Sequence, residues 1–461
     1  MRDQFMGVGL FAKSPNVTAQ TRVNLYLEFT PVGDKTRVEA YGTPGLELFV
    51  DFGDTPARAH YPLGVLNYVV HRGTFWEINN AGVKTNRGSL LTTSGRCSIS
   101  DNGLQIMIVD GTYGYIYTIA TTTLVQITDG DFPANPTTVT FEGSYFIITT
   151  ANTGRVNKSA SYDGLTWDAL DFVTAESNPD NLIRVEQDHG DVVLFGDLTI
   201  EFWGNTGALD FPYTRIAGAN VEWGLAAKWS VTKFDNSLMF LGKNRMVEVQ
   251  VVRLNGYQPQ RVSTHDIENI MNSASNADAT ALSYLVDGHP MYQINFPSLL
   301  RSFLYDGVTS SWSELKSSGS RHRAEIGSNY LSGKYVSDYA NGKIYKFRTD
   351  VYTDNGAMIV RELTGRHYEH GMDWFTVNQF ILDMETGMGL ASGQGSDPQV
   401  MLQYSTDNGH TWSEELWTSA GKIGEYHKRA EWWRLGRGRD FLFRVRVSDP
   451  IKLVITGVGL K

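Results

Sequence analysis

Few residues in this sequence stand at spacings that could do chemistry. His367 and His370 lie three apart with Glu369 between them (HYEH). On a helix face that spacing could begin a zinc site, but zinc takes further ligands and no accompanying pattern supplies them. Core or surface histidines are the preferred reading. Cys97 is the one cysteine, which excludes an internal disulfide framework and a cysteine-based zinc site and leaves a small buried hydrophobe. There is no Gly-x-Ser-x-Gly elbow and no Gly-Lys-Ser/Thr phosphate loop, and Gly389, Gly393 and Gly395 do not follow a strand-to-helix transition. Acyl transfer and ATP hydrolysis are therefore not expected. The turns Asp110-Gly111 and Asp129-Gly130 could meet calcium but lack the regular carboxylate spacing of a dedicated loop. No metal and no cofactor is expected.

A more specific signal is a repeated turn. Asp163-Gly164 precedes Trp167, Asp306-Gly307 precedes Trp312, and Asp407-Asn408-Gly409 precedes Trp412, with threonine or serine before each tryptophan. This is the pattern of the "Asp-box" hairpins of propeller proteins. Aspartate accepts backbone N–H bonds within the turn, glycine takes the left-handed conformation, and the indole covers the neighbouring hairpin. Asp-boxes abound in sialidases, so a glycosidase is the enzymatic alternative. A sialidase needs several arginines converging on a carboxylate, the first of them in a Phe-Arg-Ile-Pro-like stretch near the start. The closest string here, Tyr213-Thr214-Arg215-Ile216-Ala217, lies in mid-chain without the proline. A general glycosidase needs two carboxyl groups at a fixed separation, which 50 acidic residues do not reveal. The boxes carry architecture, and no catalytic residue is assigned. A carbohydrate- or receptor-binding module is the other alternative.

One concentrated basic segment runs from Lys422 to Arg446. Within it Lys428, Arg429, Arg434, Arg437 and Arg439 stand beside Trp432 and Trp433. Arginines next to aromatics can grip phosphate or stack on bases. They can equally sit at a subunit interface, where Trp and Arg are enriched. A solvated strand face is the third reading, because Arg444 and Arg446 alternate with Phe443, Val445 and Val447. The interface reading is favoured, since the formal charge of −10 opposes tight phosphate binding by the whole molecule.

The elements that must position these residues are strands. Apolar runs such as Leu104–Val109, Tyr145–Thr149, Asp191–Phe195 and Met291–Phe296 recur between glycine, aspartate and asparagine turns. Aromatics at 12% and 46 glycines suit short strands and tight turns. The one short helix candidate is Thr264–Ser273, with Thr264 as cap and Ile267, Ile270 and Met271 on one face. The spacing of the turns predicts an all-β chain of 461 residues in three parts: an N-terminal extended segment over 1–40, a β-propeller of six or seven partly irregular blades over 41–355, and a C-terminal β-sandwich-like domain over 356–461. No secretory signal and no uninterrupted apolar stretch long enough for a membrane helix is seen, so cytosolic synthesis without membrane insertion is expected.

Several stretches resemble one family. Lys428-Arg429-Ala430-Glu431-Trp432-Trp433-Arg434-Leu435-Gly436-Arg437-Gly438-Arg439, then Phe441–Val447 and Pro450–Gly457, look like the closing segment of the packaged-DNA stabilisation (tail-hub) proteins of short-tailed bacteriophages. Asp191–Gly207 is similar to that family's strand, Phe-Gly and Thr-Ile-Glu-aromatic pattern, and Arg22-Val23-Asn24-Leu25-Tyr26 and Gly42-Thr43-Pro44-Gly45-Leu46 to its opening. The resemblance implies a non-enzymatic virion protein made in the bacterial host cytoplasm and assembled as a homo-hexamer beneath the portal and its adaptor. It would extend the DNA conduit, help retain packaged DNA, touch that DNA transiently, and carry the tail needle and tailspikes or fibres. On this reading the basic segment is a subunit or adaptor interface.

Overall fold

The computed structural model describes residues 2–3, 5–7, 14, 16, 18–32, 35–175, 180–208, 211–246, 248–330, 333–371 and 373–461. Among them the only helices are His265–Met271 and a single 3-10 turn, Pro297–Leu299. The rest of the regular structure is strand. Six antiparallel meanders follow one another over 57–89, 98–126, 136–174, 182–221, 224–261 and 280–317, and a seventh spans 324–348. They are the blades of a seven-bladed propeller. The second strand of each blade is covered on both faces by its neighbours. Gln105–Val109, Tyr145–Thr150, Asp191–Gly196 and Leu238–Lys243 are accordingly buried almost throughout and read as continuous apolar runs rather than alternating ones. Outermost strands such as Lys84–Ser89 and Thr123–Gln126 are largely exposed and polar. Seven separate apolar clusters fill the gaps between successive blades.

The ring closes without an open edge. Gly45–Asp51, which precedes the first blade, pairs antiparallel with Lys343–Arg348 as the fourth strand of the seventh, so first and last blades are locked by one continuous chain. The fifth blade is the irregular one: its inner strand is broken into Gly224–Leu225 and Thr232–Lys233, both on Leu238–Lys243. The helix His265–Met271 lies in the connection to blade six and buries Ile267 and Met271 in the apolar cluster between those blades. The expected side-chain cap at Thr264 is not made. Instead the buried carboxylate of Glu268 accepts from Ser263 Oγ at 2.6 Å and from Arg261 Nε at 2.7 Å.

Behind blade six sits a β-sandwich with its own core, built around Phe380, Trp432, Phe441, Phe443 and Val445. One sheet runs Leu25–Val32, Lys35–Gly42, Val454–Leu460, Gln379–Met384, Ala430–Trp433, with Arg2–Asp3 beside Val454–Leu460. The other runs Thr21–Val23, Arg361–Thr364, Asp440–Val447, Gln399–Ser405, Leu416–Ser419. Thr21–Val23, Leu25–Val32 and most of Lys35–Gly42, which fall in the 1–40 stretch set apart above as an N-terminal segment, are thus strands of the sandwich. Thr21–Val23 also pairs with Ser311–Ser317, the outermost strand of blade six, so one sheet crosses from propeller to sandwich. Asn24 staples this crossing. Its amide donates to the carbonyls of Lys316 at 3.0 Å and Val360 at 2.9 Å and accepts from Lys316 N–H at 2.9 Å. Arg22, fully buried, bonds the carbonyls of Gly7 and Trp312.

Candidate functional site

The basic segment lies along one free edge of the sandwich. Ala430–Trp433 is the last strand of its sheet and, among the described residues, its backbone pairs with Gln379–Met384 alone. Strand alternation sends Trp432 inward, where its Nε1 donates to the Leu416 carbonyl at 2.9 Å, and Trp433 outward. A turn follows in which Arg434 takes a left-handed φ of 62° and Gly436 one of 95°. The chain then returns as Arg437–Gly438 on Phe375–Thr376. This places the guanidiniums of Arg437 and Arg439 5.6 and 5.3 Å from the ring centre of Trp374. Such contacts are worth about 0.5–1 kcal/mol where exposed, enough to orient the side chains but not to neutralise them.

Among the described residues no carboxylate lies within 4.0 Å of Lys428, Arg429, Arg434, Arg437 or Arg439, and all five are exposed. The three exposed tryptophans of the described chain, Trp374, Trp417 and Trp433 (54%, 56% and 60%), all belong to this domain. The basic spacing announced the cations. Trp374, just before Phe375–Thr376, and Trp417, in Leu416–Ser419, carried no sequence signal. Arg444 and Arg446 belong elsewhere: Arg446 pairs with Glu362 and Glu415, and Arg444 lies 3.7 Å from the Trp412 ring centre.

The three tryptophan-bearing turns are structural. Asp163 accepts from Leu165 N–H and Thr166 Oγ1, Asp306 from Val308 N–H and Thr309 Oγ1, and Asp407 from Thr411 N–H and Thr411 Oγ1, at 2.6–2.9 Å. Those bonds, first of all the Thr411 hydroxyl, hold the Asp407 carboxyl well below the usual carboxylate range. The expected left-handed glycine occurs only in the third turn, at Gly409. In the first two the left-handed residues are Tyr162 and Ser310, and glycine is required by contact. A Cβ on Gly164 would lie 2.4 Å from Ile116, and one on Gly307 2.8 Å from Phe234. Trp167 closes its own turn onto the Gly164 carbonyl, whereas Trp312 reaches the Val262 carbonyl in the connection from blade five.

Other candidates for chemistry are already engaged. His367 is bonded to the Asp440 carboxylate and His370 is exposed. No group of three metal-ligating side chains occurs among the described residues. Burial pushes the Cys97 thiol up to about 12, where it holds no thiolate at neutral pH. Arg215 lies on the outermost strand of blade four, exposed, not in the central bore where a sialidase would gather its arginines. The cleft between blades four and five is rich in acid, but Asp191 accepts from Tyr257, Asp235 pairs with Arg253 and Asp188 with His189. No described helix is long and apolar enough to cross a membrane.

Comparison with known proteins matches this architecture. The tail hub protein gp10 of Salmonella phage P22 is 25% identical over 314 residues, a match covering 62% of this chain and 61% of that protein's length. Solved structures with a similar fold include the mitotic checkpoint complex (10% identical, TM-score 0.43, 63% of this chain and 89% of that one) and the WD40 β-propeller domain of Doa1 (11% identical, TM-score 0.41, 66% and 97%). Family models described as Bacteriophage P22 Gp10, beta-propeller, and Bacteriophage P22 Gp10, beta-sandwich, match residues 9–352 and 360–461. With both its ring and its sandwich matched in order, the chain belongs to the Bacteriophage P22 Gp10 family.

Proposed function

We propose that this protein is a non-enzymatic hub in the tail of a short-tailed phage, six copies forming a ring beneath the portal and adaptor that continues the DNA conduit, helps retain packaged DNA and carries needle and spikes or fibres. The observation that carries the reading is the sandwich edge: an open strand flanked by five unpaired cations and exposed tryptophans, fixed to a propeller by a shared sheet. Interfaces favour such Trp and Arg anchors, and a closed ring needs each copy to present one surface to the next. Family membership and the tail-hub role of the phage P22 relative support it.

On this reading the duplex passes through the ring of copies, not through a propeller. The inner strands of the blades converge on a cavity of about 390 Å³ in the propeller's bore, a volume in the small-molecule range of about 300–1,000 Å³. The net charge of −10 suits a wall past which phosphates slide without sticking. The mass of the species assembled on portal–adaptor complexes tests the proposal. Six copies in a ring around the exit path is the expected result. Three copies, or absence from mature particles, would reject it.

A further inference from the structure

The inner strands of the blades all begin at the same end of the bore, and at that end charge is out of balance. Trp229, in the break of blade five's inner strand, carries two guanidiniums on its indole, Arg96 at 4.8 Å and Arg184 at 5.4 Å from the ring centre. Arg184 is held in place: its Nε donates to Glu186 at 2.8 Å and its Nη1 to the Lys228 carbonyl at 3.1 Å. Arg96 is not. Its Nε and Nη1 are buried without a hydrogen-bond partner. The carboxylate beside it, Glu325, lies 3.9 Å away and already accepts from Arg321 at 2.5 Å. Of the charged side chains that line the bore cavity, Arg96, Arg184 and Lys233 are cations and Glu186 is a carboxylate, a surplus of two positive charges.

Arg96, Arg184, Glu186 and Trp229 all line the 390 Å³ cavity of the bore, and 23% of the Arg96 side chain is exposed, through atoms other than Nε and Nη1. A guanidinium whose neighbouring carboxylate stands 3.9 Å away is only weakly compensated in a poorly hydrated site, and water meets its donors without cancelling its charge. An anion does both. A guanidinium offers a planar fork that fits tetrahedral oxyanions, and the surplus of two positive charges matches a dianion better than a monoanionic carboxylate.

We propose that the propeller bore binds one compact oxyanion of the phosphate class, held chiefly by Arg96. Free phosphate and the phosphates of a single-stranded polynucleotide share that chemistry. The test is calorimetric titration of the purified full-length protein with inorganic phosphate, with a short oligothymidylate, and with acetate at matched ionic strength. Expected is one phosphate per chain, acetate at least tenfold weaker, and at least tenfold loss in Arg96→Met. The oligothymidylate arm identifies the source: binding that displaces phosphate points to polynucleotide, and none points to the free ion. Arg96→Met removes a cation only weakly paired at 3.9 Å, so in phosphate-free buffer it should melt no lower than the parent. Glu325→Gln, which leaves every cation in place and removes a competing carboxylate, should bind phosphate several-fold tighter. No phosphate binding by the parent, acetate binding as tight as phosphate, unchanged binding in Arg96→Met, or weaker binding in Glu325→Gln would each overturn the proposal.

Discussion

At the scale of single residues, side chains with the best chemistry hold parts of the molecule together. His289 is 4% exposed, with Nδ1 2.9 Å from Asp306 and Nε2 2.8 Å from Glu28, so it clasps the blade-six turn to the first strand of the sandwich. Tyr26 lies edge-on against it. Burial opposes the imidazolium charge, but hydrogen bonds to Glu28 and Asp306 outweigh burial, and the pKa is raised. A raised pKa means that the clasp's stabilisation is complete below about 6.5 and is lost as pH rises through the folded value. Denaturant unfolding should therefore show lower stability at pH 8.5 than at pH 6, by up to about 1.5–3 kcal/mol, the worth of a hydrogen bond to a charged group. Glu28→Gln should flatten that difference, and an unchanged pH profile would refute the clasp. Gly307 offers a steric test. Alanine there meets Phe234 and Pro290 at under 3.0 Å, and overpacking of that kind costs about 1–3 kcal/mol. A melting temperature equal to the parent's would show that the turn has slack.

At the scale of elements, the strand Thr21–Val23 and the residue after it decide whether the molecule is one body or two. Asn24 is 2% exposed, and its amide satisfies three backbone groups belonging to blade six and to the start of the sandwich strand Arg361–Thr364. Asn24→Ala leaves those part-buried groups without their side-chain partner. The expected cost is about 1–3 kcal/mol, since partly exposed groups recover some hydrogen bonding from water. The loss falls at the joint, so calorimetry should resolve separate sandwich and propeller transitions where the parent shows one. A single, unshifted transition would mean that the joint is held by other contacts. Gly45 belongs to the same region: a Cβ there would lie 2.3 Å from the Val351 carbonyl, so the closing strand of the propeller can start only with glycine.

At the scale of the whole molecule, charge is divided by place. Lys428, Arg429, Arg434, Arg437 and Arg439 cluster on one edge of a chain whose total is −10, so a neighbouring acidic surface is drawn to that edge. Replacing Arg434, Arg437 and Arg439 together with alanine should weaken assembly onto portal complexes at least tenfold. Stability should change little, because none of the three is buried or ion-paired. Assembly of the parent should also weaken as salt rises, since exposed charges are screened beyond about 10 Å at 0.1 M. Assembly equal to the parent's at low salt would remove these arginines from the interface.

Much of the architecture was legible in the residues because it is made by local physics. Two-residue alternation marks half-buried strands, unbroken apolar runs mark the strands between blades, and Asp–Gly turns followed by tryptophan bond within themselves. Those features pointed to an all-β propeller with a β-rich C-terminal part and to the basic segment as its most distinctive surface. What they left open depends on residues far apart in the chain. Spacing does not tell that Asn24 will lie against Lys316 and Val360, or that Trp374 will lie beside Arg437. Nor does it tell that Gly164 and Gly307 are glycine for want of room, or that Arg96 will face the bore with too few acceptors. Such neighbours are chosen by how seven blades close and how one strand crosses to the sandwich. The energy of each contact exists only once the long loops between its partners are closed.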